Sequence, residues 1–472
     1  MRWVFAALGV AVVAAGAAFA LAFTRGDSND PVVLPENAMP GRLLVGFQDD
    51  ASFRWAPDRA TALDAARDAN ASVIRTLVTW KDAATSRPAN ARDSFDPAYH
   101  FDDLDDLVRS SQQRGIELLL SIWGTPEWAN GEQTPNHAPT DAQDLADFAY
   151  ALADRYSGRH AGYPAVRLYT AWNEPNLEQF LSPQFDDAGE SVSPGLYADI
   201  ARSVYDGVKE ANPDALVAIG ETSPRGQDRP SRGAVQDSHS PARFARLVSE
   251  LRPTLRFDAW AQHPYPPRPS VAPARSVRWP RVALGNLELF GESLDSWFGR
   301  ERTPIWITEY GHETVPDPAG ISLDTQARYA EEALTLASGN SRVRVLVWFT
   351  LVDRVTEPWQ SGLIATDGTA KPAYARFSEM AARLDPRNPV LPESAEVARV
   401  PALELAHYVP AGAPLEVTTG TGETYSVPLG ADGWLEVPIS SDGPDISLTV
   451  EDEHGHSVER EVRLGSPSVE FD

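Results

Sequence analysis

The sequence predicts an α/β protein in which a (β/α)8 barrel, the TIM-barrel architecture, is followed by a small C-terminal all-β sandwich. Two patterns support this fold class. Between residues 41 and 385, eight short apolar runs alternate with longer stretches that have the spacing of amphipathic helices. From residue 395 to residue 472, short stretches of alternating polarity are separated by turn-forming pairs such as Asp432-Gly433, which is typical of antiparallel strands.

The apolar runs of the first region have the length of strands, and several show little alternation of polar and apolar residues, as in Ile116-Glu117-Leu118-Leu119-Leu120. Such runs indicate parallel strands that are covered on both faces. The predicted strands are Arg42–Phe47, Ser72–Thr79, Ile116–Trp123, Val166–Asn173, Leu216–Gly220, Phe257–His263, Pro304–Glu309 and Arg344–Thr350. The predicted helices are Asp58–Ala69, Phe101–Arg114, Asp141–Tyr156, Pro194–Ala211, Pro241–Leu251, Leu284–Phe298 and Asp324–Ser338.

The C-terminal region follows a proline-rich stretch and has the strand spacing of a small sandwich of roughly 75 residues. Its predicted strands are Ala402–Val409, Leu415–Thr418, Thr424–Pro428, Trp434–Val437, Ile446–Val450 and Ser457–Leu464. A structural cap on the barrel and a carbohydrate-binding module are both compatible with this composition.

The N-terminus predicts either a signal peptide or a membrane anchor over residues 1–23. An unbroken apolar run extends from Trp3 to Phe23 after a single basic residue, and it contains small residues at which a signal peptidase could cleave. The run is also long enough to span a bilayer. Residues 24–40 are polar and contain three prolines, which predicts a linker. Both interpretations place the rest of the chain outside the cytoplasm, secreted or membrane-anchored.

Composition and charge exclude several classes of function. The 472 residues carry 67 acidic and 41 basic side chains, a net charge of −26, which disfavours a nucleic-acid partner. There is no cysteine, so disulfides, thiol nucleophiles and cysteine-ligated metals are excluded. The nine histidines show no ligand-like spacing, and we expect neither a metal nor another cofactor.

Two glutamates stand at the ends of predicted strands four and seven. The fourth strand ends in Trp172-Asn173-Glu174-Pro175-Asn176, and the seventh ends in Trp306-Ile307-Thr308-Glu309. Active sites of such barrels lie at the carboxyl ends of the strands, so these carboxylates should face each other across one cavity. Cleavage of a glycosidic bond requires one protonated and one ionised carboxyl group in that arrangement. The sequence therefore predicts Glu174 and Glu309 as catalytic residues.

Other polar and aromatic residues near the strand ends are candidates for substrate binding. Arg75 is a cation that could keep one carboxylate ionised, and Tyr265 is a possible hydrogen-bond donor to it. Asn173 could donate to a sugar hydroxyl, and Trp348 offers a flat apolar face for a sugar ring. For each of them the alternative is a purely structural role. The predicted substrate-binding residues are Arg75, Asn173, His263, Tyr265, Trp348 and Trp128.

These motifs resemble the clan A retaining glycoside hydrolases, closest to glycoside hydrolase family 39 and next to family 5, the cellulase-like enzymes. The resemblance is carried by the two glutamate motifs, by Arg75 on strand two, by Gly124-Thr125-Pro126-Glu127-Trp128, by His263-Pro264-Tyr265 and by Trp348. It covers residues 41–385. It implies that Glu174 is the acid/base, that Glu309 is the nucleophile, and that β-linked sugars are cleaved through a covalent glycosyl-enzyme.

Two alternatives use the same residues or the same fold. A transglycosylase would have an identical catalytic pair and would differ only in the acceptor. A surface glycan-binding barrel would keep the fold without turnover. The acidic residues Glu221, Glu313 and Asp353 could line sugar subsites, but a structural or solvated role is the favoured interpretation. The net negative charge disfavours polyanionic glycans as substrates, although local arginines such as Arg225, Arg229 and Arg232 could override it.

Overall fold

The computed structural model describes residues 43–464, apart from 232–235, 358, 386, 392–394, 431–432 and 440–444. The predicted signal or anchor segment and the linker lie outside the described residues. Within the described ranges, no helix combines the length and the apolar character needed to cross a bilayer.

Eight parallel strands close into a barrel in sequence order, which confirms the predicted (β/α)8 fold. Strand eight returns to strand one with Val45 opposite Leu346. The strands are β1 Leu44–Gln48, β2 Val73–Thr79, β3 Glu117–Trp123, β4 Leu168–Ala171, β5 Leu216–Thr222, β6 Ala259–Gln262, β7 Ile305–Tyr310 and β8 Val343–Phe349.

A long helix follows every strand of the barrel, and three one-turn helices lie in the loops after β1, β2 and β3. The helices are α1 Asp50–Phe53, α2 Arg59–Asp68, α3 Trp80–Ala83, α4 Asp102–Gln112, α5 Glu127–Asn130, α6 Ala142–Arg155, α7 Ser193–Ala211, α8 Pro241–Leu251, α9 Leu287–Phe298, α10 Leu323–Gly339 and α11 Pro372–Leu384. All seven predicted helices are present. The eighth long helix, α11, was not predicted, although its proline in the first turn and its buried Ala373, Phe377 and Met380 are typical of an amphipathic helix.

The interior of the barrel changes from apolar to polar towards the carboxyl ends of the strands. Side chains alternate between the two faces of a strand, so every second residue points inward. The lower inward positions form an apolar layer that includes Val73, Leu119, Leu168 and Val345. One step higher the inward positions are polar and buried: Gln48, Arg75, Ser121, Thr170 and Glu221. This polar layer is the floor of the candidate site.

The C-terminal domain has two sheets around one hydrophobic core, as predicted for a small sandwich. One sheet pairs β10 (Val397–Pro401) with β13 (Trp434–Pro438). The other has the order β12-β11-β14-β15-β9, and its strands are β12 Thr424–Pro428, β11 Pro414–Thr419, β14 Asp445–Glu451, β15 Ser457–Leu464 and β9 Val390–Leu391.

One predicted strand of this domain, Ala402–Val409, is wrong. The strand lies just before it, at Val397–Pro401, and the predicted segment is a series of turns. The backbone N–H of Leu405 donates to the carbonyl of Ala402 at 2.9 Å, and that of Val409 donates to the carbonyl of Leu405 at 3.1 Å. The buried residues Ala402, Leu405 and Val409 are therefore spaced three and four residues apart, as in helical turns. The apolar residues of this segment had predicted a strand.

The C-terminal domain contacts the barrel at the amino ends of the strands. Arg387 donates to the carbonyl of Gly115 at 3.1 Å, just before β3 begins. The indole N–H of Trp434 lies 3.3 Å from Oε1 of Glu117, the first residue of β3. These contacts are at the end of the barrel opposite the carboxyl ends of the strands, where the candidate site lies.

Candidate active site

Arg75 lies at the centre of the polar layer and has no exposed surface. Its Nη1 donates to Oε1 of Glu309 at 2.7 Å, and its Nη2 donates to Oδ1 of Asn173 at 2.7 Å. Its Nε donates to Oε1 of Glu221 at 3.0 Å and to Ser121 at 2.8 Å. A buried guanidinium is retained only where carboxylates and acceptors surround it, and here it has both. Arg75, on β2, thereby joins residues of β3, β5 and β7 and the segment that follows β4.

Two β-bulges turn carboxylates towards the interior of the barrel. On β5 the register against β6 shifts between Gly220 and Thr222, and Glu221 has a positive φ of 47°. On β7 the register against β8 shifts between Ile307 and Tyr310. Strict alternation would place Glu221 on the same face as Ile219, among the helices. The bulges reverse this alternation, as bulges beside active sites often do, and both Glu221 and Glu309 face inward.

Gly220, directly before the bulge on β5, shows why this segment needs glycine. Its φ is +99°, and a Cβ at this position would lie 2.3 Å from the ring of Trp260. Any side chain would therefore be strained in the backbone and would clash with the indole.

Glu309 is surrounded by groups that favour its ionised form. Besides the contact with Arg75, its Oε2 accepts a hydrogen bond from the hydroxyl of Tyr265 at 3.0 Å and lies 3.6 Å from Nδ1 of His263. Burial alone would raise the pKa of Glu309, but the charges of His263 and Arg75 and the hydrogen bonds from Tyr265 and Arg75 outweigh it, and the pKa is lowered. Glu309 is therefore a carboxylate at neutral pH.

Glu174 approaches the same imidazole from the fourth strand. It lies beyond the end of β4, where the backbone has a positive φ at Trp172 and Glu174, and its N–H donates to the carbonyl of Glu221 at 3.0 Å. Its Oε1 accepts a hydrogen bond from Nδ1 of His263 at 3.0 Å. Oε2 of Glu309 lies 3.6 Å from the same nitrogen. Because both oxygens are this close to Nδ1, the distance between the two carboxylates is compatible with the roughly 5 Å found in retaining glycosidases.

His263 is the shared partner of both carboxylates. It is completely buried at the end of β6. Burial lowers its pKa, but the charges of Glu309 and Glu174 and the hydrogen bond to Glu174 raise it more, so that the net pKa lies above the ordinary value of 6.5. The same carboxylates and burial raise the pKa of Tyr265, which keeps its hydroxyl protonated as a donor.

A cleft of about 650 Å3 opens above these groups. Asn173, Glu174, Tyr265 and Glu309 all line it. The structure therefore brings four of the predicted site residues to one cavity, and it places Arg75 and His263 directly beneath them.

Trp348 does not line the cleft, and the prediction that it offers a face to a sugar is wrong for this structure. Its ring has no exposed surface and packs among the outer helices against Phe377, while its indole N–H donates to the carbonyl of Ser361 at 2.8 Å. Strand alternation explains the error, since Val345 and Val347 point inward and Trp348 points outward. The next residue, Phe349, lines the cleft instead.

Trp128 also lies away from the cleft. It packs edge-on against Trp80, its indole N–H donates to the carbonyl of Ala84 at 2.8 Å, and the guanidinium of Arg87 covers its ring. This residue therefore braces the loops after β2 and β3.

Sequence reasoning missed two aromatic residues of the site. Phe349 and Trp359 both line the cleft, and the ring of Trp359 stacks on Tyr265 with centroids 5.9 Å apart. Trp359 is 41% exposed, which leaves a face open. A tryptophan in the loop after a barrel strand indicates a possible sugar-binding residue. The sequence does not show which loop residues fold back over the strands.

Three other acidic residues have distinct positions. Glu221 is buried against Arg75 and accepts a hydrogen bond from Thr170 at 2.7 Å, so it supports the floor. Asp353 is buried against Lys371 at 2.5 Å. Glu313 lines the cleft, and burial together with the charge of Asp317 raises its pKa. The structural interpretation therefore fits Glu221 and Asp353, and Glu313 lies where it could line a sugar subsite.

A closed (β/α)8 barrel with paired glutamates at the ends of its fourth and seventh strands defines a clan A glycoside hydrolase. The family model described as cellulase (glycosyl hydrolase family 5) matches residues 44–350. The chain therefore belongs to glycosyl hydrolase family 5, and it is an enzyme that acts on carbohydrate. No curated protein matches the chain.

Several solved structures are similar in fold. A family 39 glycoside hydrolase from Bacteroides cellulosilyticus WH2 is 18% identical, with a TM-score of 0.51, over 86% of this chain and 81% of that one. A glucosidase from Croceicoccus marinus is 14% identical, with a TM-score of 0.53, over 93% and 89%. A GH5_18 protein from Streptomyces cattleya, in complex with GlcNAc, is 17% identical, with a TM-score of 0.51, over 78% and 87%. At these identities the similarity concerns the fold.

Proposed function

We propose that the chain is an exported retaining glycosidase that cleaves β-linked sugars by double displacement, with Glu309 as nucleophile and Glu174 as acid/base. The observation that carries this proposal is the convergence of both carboxylates on Nδ1 of His263 within one cleft. The asymmetry of their surroundings assigns the roles. Glu309 also contacts Arg75 and Tyr265, which hold it ionised, whereas among the described residues the charged partner of Glu174 is His263 alone.

In the first step, an oxygen of Glu309 attacks the anomeric carbon while Glu174 donates its proton to the leaving oxygen. The glycosidic C–O bond breaks and an ester between the sugar and Glu309 forms. In the second step, Glu174 takes a proton from water, the water oxygen attacks the same carbon, and the ester bond to Glu309 breaks. Two inversions at one carbon give overall retention.

Neighbouring residues position the sugar for these steps. Because Oδ1 of Asn173 accepts from Arg75, its amide N–H group remains to donate to a sugar hydroxyl. Phe349 and Trp359 supply aromatic surface in the same cleft, on which a sugar ring could stack.

Azide rescue separates the two roles. The variant Glu309→Ala, given an activated β-aryl glycoside and azide, should form a glycosyl azide of inverted configuration, because azide enters the space of the missing nucleophile. Glu174→Ala should form a glycosyl azide of unchanged configuration, because the glycosyl ester still forms. Without azide, each variant should lose several orders of magnitude in kcat. Near-normal activity of Glu309→Ala would overturn the assignment.

Trapping with a 2-deoxy-2-fluoro glycoside checks turnover independently. The intact protein should gain the mass of one fluorosugar, and Glu309→Gln should gain none. The experiment is repeated with 2-fluoro glycosides of several β-linked sugars. If the native protein gains no mass with any of them, the result would favour the non-catalytic glycan-binding alternative.

Export rests on the sequence of residues 1–23 alone. The full chain should be found outside the cytoplasm, and removal of residues 1–23 should retain it inside the cell. The mass of the exported N-terminus then distinguishes a cleaved signal peptide from an uncleaved anchor.

A further inference from the structure

One wall of the cleft carries three arginines whose charge is not neutralised by the protein. Arg225, Arg268 and Arg281 line the cleft and are exposed. Among the described residues, none of the three forms an ion pair with a carboxylate. Elsewhere on the barrel, exposed arginines commonly do: Arg92 contacts Glu210 at 2.6 Å and Arg256 contacts Asp206 at 2.5 Å. We call these three arginines the basic wall.

The sequence of the wall is unusual for this chain. Residues 264–283, between β6 and α9, contain four arginines and no acidic residue, although the whole protein carries 67 acidic side chains against 41 basic ones. What distinguishes Arg225, Arg268 and Arg281 is their position, since they bring positive charge into the cleft of a chain whose net charge is −26. The concentration of cations beside the catalytic glutamates therefore indicates a ligand.

Hydrogen bonds of the backbone hold the wall in place. The N–H of Val282 donates to the carbonyl of Pro224 at 3.3 Å, which places the segments of Arg281 and Arg225 side by side. The side chain of Asn176 donates to the carbonyl of Arg225 at 3.2 Å. Beside Arg268, the carbonyl of Pro269 accepts from Nδ1 of buried His312 at 2.8 Å. The motif that carries Glu174 thus also positions part of the wall.

We infer that the cleft takes a glycan whose sugar units carry anionic groups, carboxylate or sulfate, next to the bond that is cleaved. The inference rests on the proposed function and specifies its substrate class. The planar guanidinium of arginine forms paired hydrogen bonds with such oxyanions. The acidic residues that also line the cleft are Glu174, Glu309 and Glu313. The three arginines belong to the loops after β5 and β6, whereas Glu313 follows β7, so we expect the anionic groups to bind on the β5 and β6 side.

The test compares matched glycans that differ only in charge. Soluble β-linked glucans and xylans are offered in neutral form, with carboxylate groups introduced at C6 or as uronic acid branches, and with sulfate esters. Release of reducing ends by the native enzyme and binding by Glu309→Gln are both measured. We expect the carboxylated or the sulfated members to exceed their neutral counterparts at least about tenfold in kcat/KM, and the two arms tell which oxyanion is recognised.

Two sets of variants separate the wall from general charge. The triple variant Arg225→Gln, Arg268→Gln and Arg281→Gln should lower kcat/KM for the anionic glycan by about 10- to 100-fold, through KM, and change the neutral one less than about twofold. For the native enzyme, the KM for the anionic glycan should rise between low salt and about 0.5 M NaCl, because salt screens the arginines. For the triple variant this KM should not change over the same range. The control Arg275→Gln with Arg278→Gln lies on the same loop but outside the cleft, and should leave both substrates unchanged.

The outcomes distinguish this inference from the function on which it rests. Equal or better use of the neutral glycans, an equal loss on both substrates in the triple variant, or failure of Glu309→Gln to bind any anionic glycan would overturn the inference while leaving the glutamate roles intact. Full activity of Glu309→Ala on the preferred glycan would overturn the proposed function, and the preference for charge would remain as a binding property.

Discussion

A single buried imidazole couples the two carboxylates that we propose as catalytic. His263 contacts both Glu174 and Glu309 through one nitrogen, and its raised pKa means that the ring keeps its charge above pH 6.5. The ion pair therefore contributes fully to stability below the ordinary histidine pKa and is lost as pH rises through the raised value. The contribution of Glu309 is also stabilising but has the opposite pH dependence. Because its pKa is lowered, its stabilisation is complete above the ordinary carboxyl pKa and is lost as pH falls through the lowered value.

Replacing this imidazole should move the pH profile. In His263→Asn the positive charge beside Glu309 is absent, so the pKa of Glu309 should rise and the acidic limb of kcat/KM should shift upward by about one pH unit. His137→Asn is the control, because that histidine contacts Thr134 rather than a catalytic carboxylate. A profile that keeps its acidic limb while the rate falls would show that His263 acts only by packing.

The individual strands determine which side chains reach the cleft, and here the sequence predicted more of the fold than of the site. All eight barrel strands were recognised, because parallel strands covered on both faces form continuous apolar runs. Because β8 also lacks alternation, the sequence did not show which of its residues point inward. Trp348 was therefore predicted as a substrate-binding residue, and Phe349 was not. Bulges on β5 and β7 depend on the register of neighbouring strands, which sequence patterning does not contain. The sequence predicted Glu309 as catalytic through its motif, and it predicted a structural or solvated role for Glu221 without the bulge that turns it inward.

The two faces of β8 should separate stability from activity. Trp348→Ala removes a fully buried ring and should lower the free energy of unfolding by about 3–5 kcal/mol. Phe349→Ala should cost about 1 kcal/mol and lower kcat/KM by about tenfold, since its ring faces the cleft. Urea unfolding and steady-state kinetics of both variants measure the difference. A larger kinetic loss in Trp348→Ala, at a temperature where it is folded, would contradict the assignment of the faces.

On the scale of the whole molecule, the candidate active site and the C-terminal domain lie at opposite ends of the barrel. The domain meets the amino ends of the strands through Trp434, which lies against Glu117 and between Arg167 and Arg399. The glutamate motifs indicated the catalytic end from the sequence alone. The position of the small domain could not be inferred, because it depends on contacts between residues more than 300 positions apart.

Loosening this interface should affect stability only. Trp434→Ala should lower the unfolding free energy by about 1–2 kcal/mol, because a hydrogen bond and two cation–π contacts are lost. We expect unchanged kcat and KM at temperatures where the variant is folded. The midpoint of thermal unfolding and the kinetics with one substrate measure both effects. An altered KM with an unchanged midpoint would instead assign the domain a part in substrate binding.

The extra residues in β5 and β7 make the enzyme sensitive to the length of these strands. Removing one residue from either strand would restore regular alternation and rotate a carboxylate out of the barrel, although every side-chain type needed for chemistry would still be encoded. Single-codon deletions there should be far more harmful than most substitutions at the same positions. Homologues that diverge in sequence should therefore keep these two strand lengths invariant.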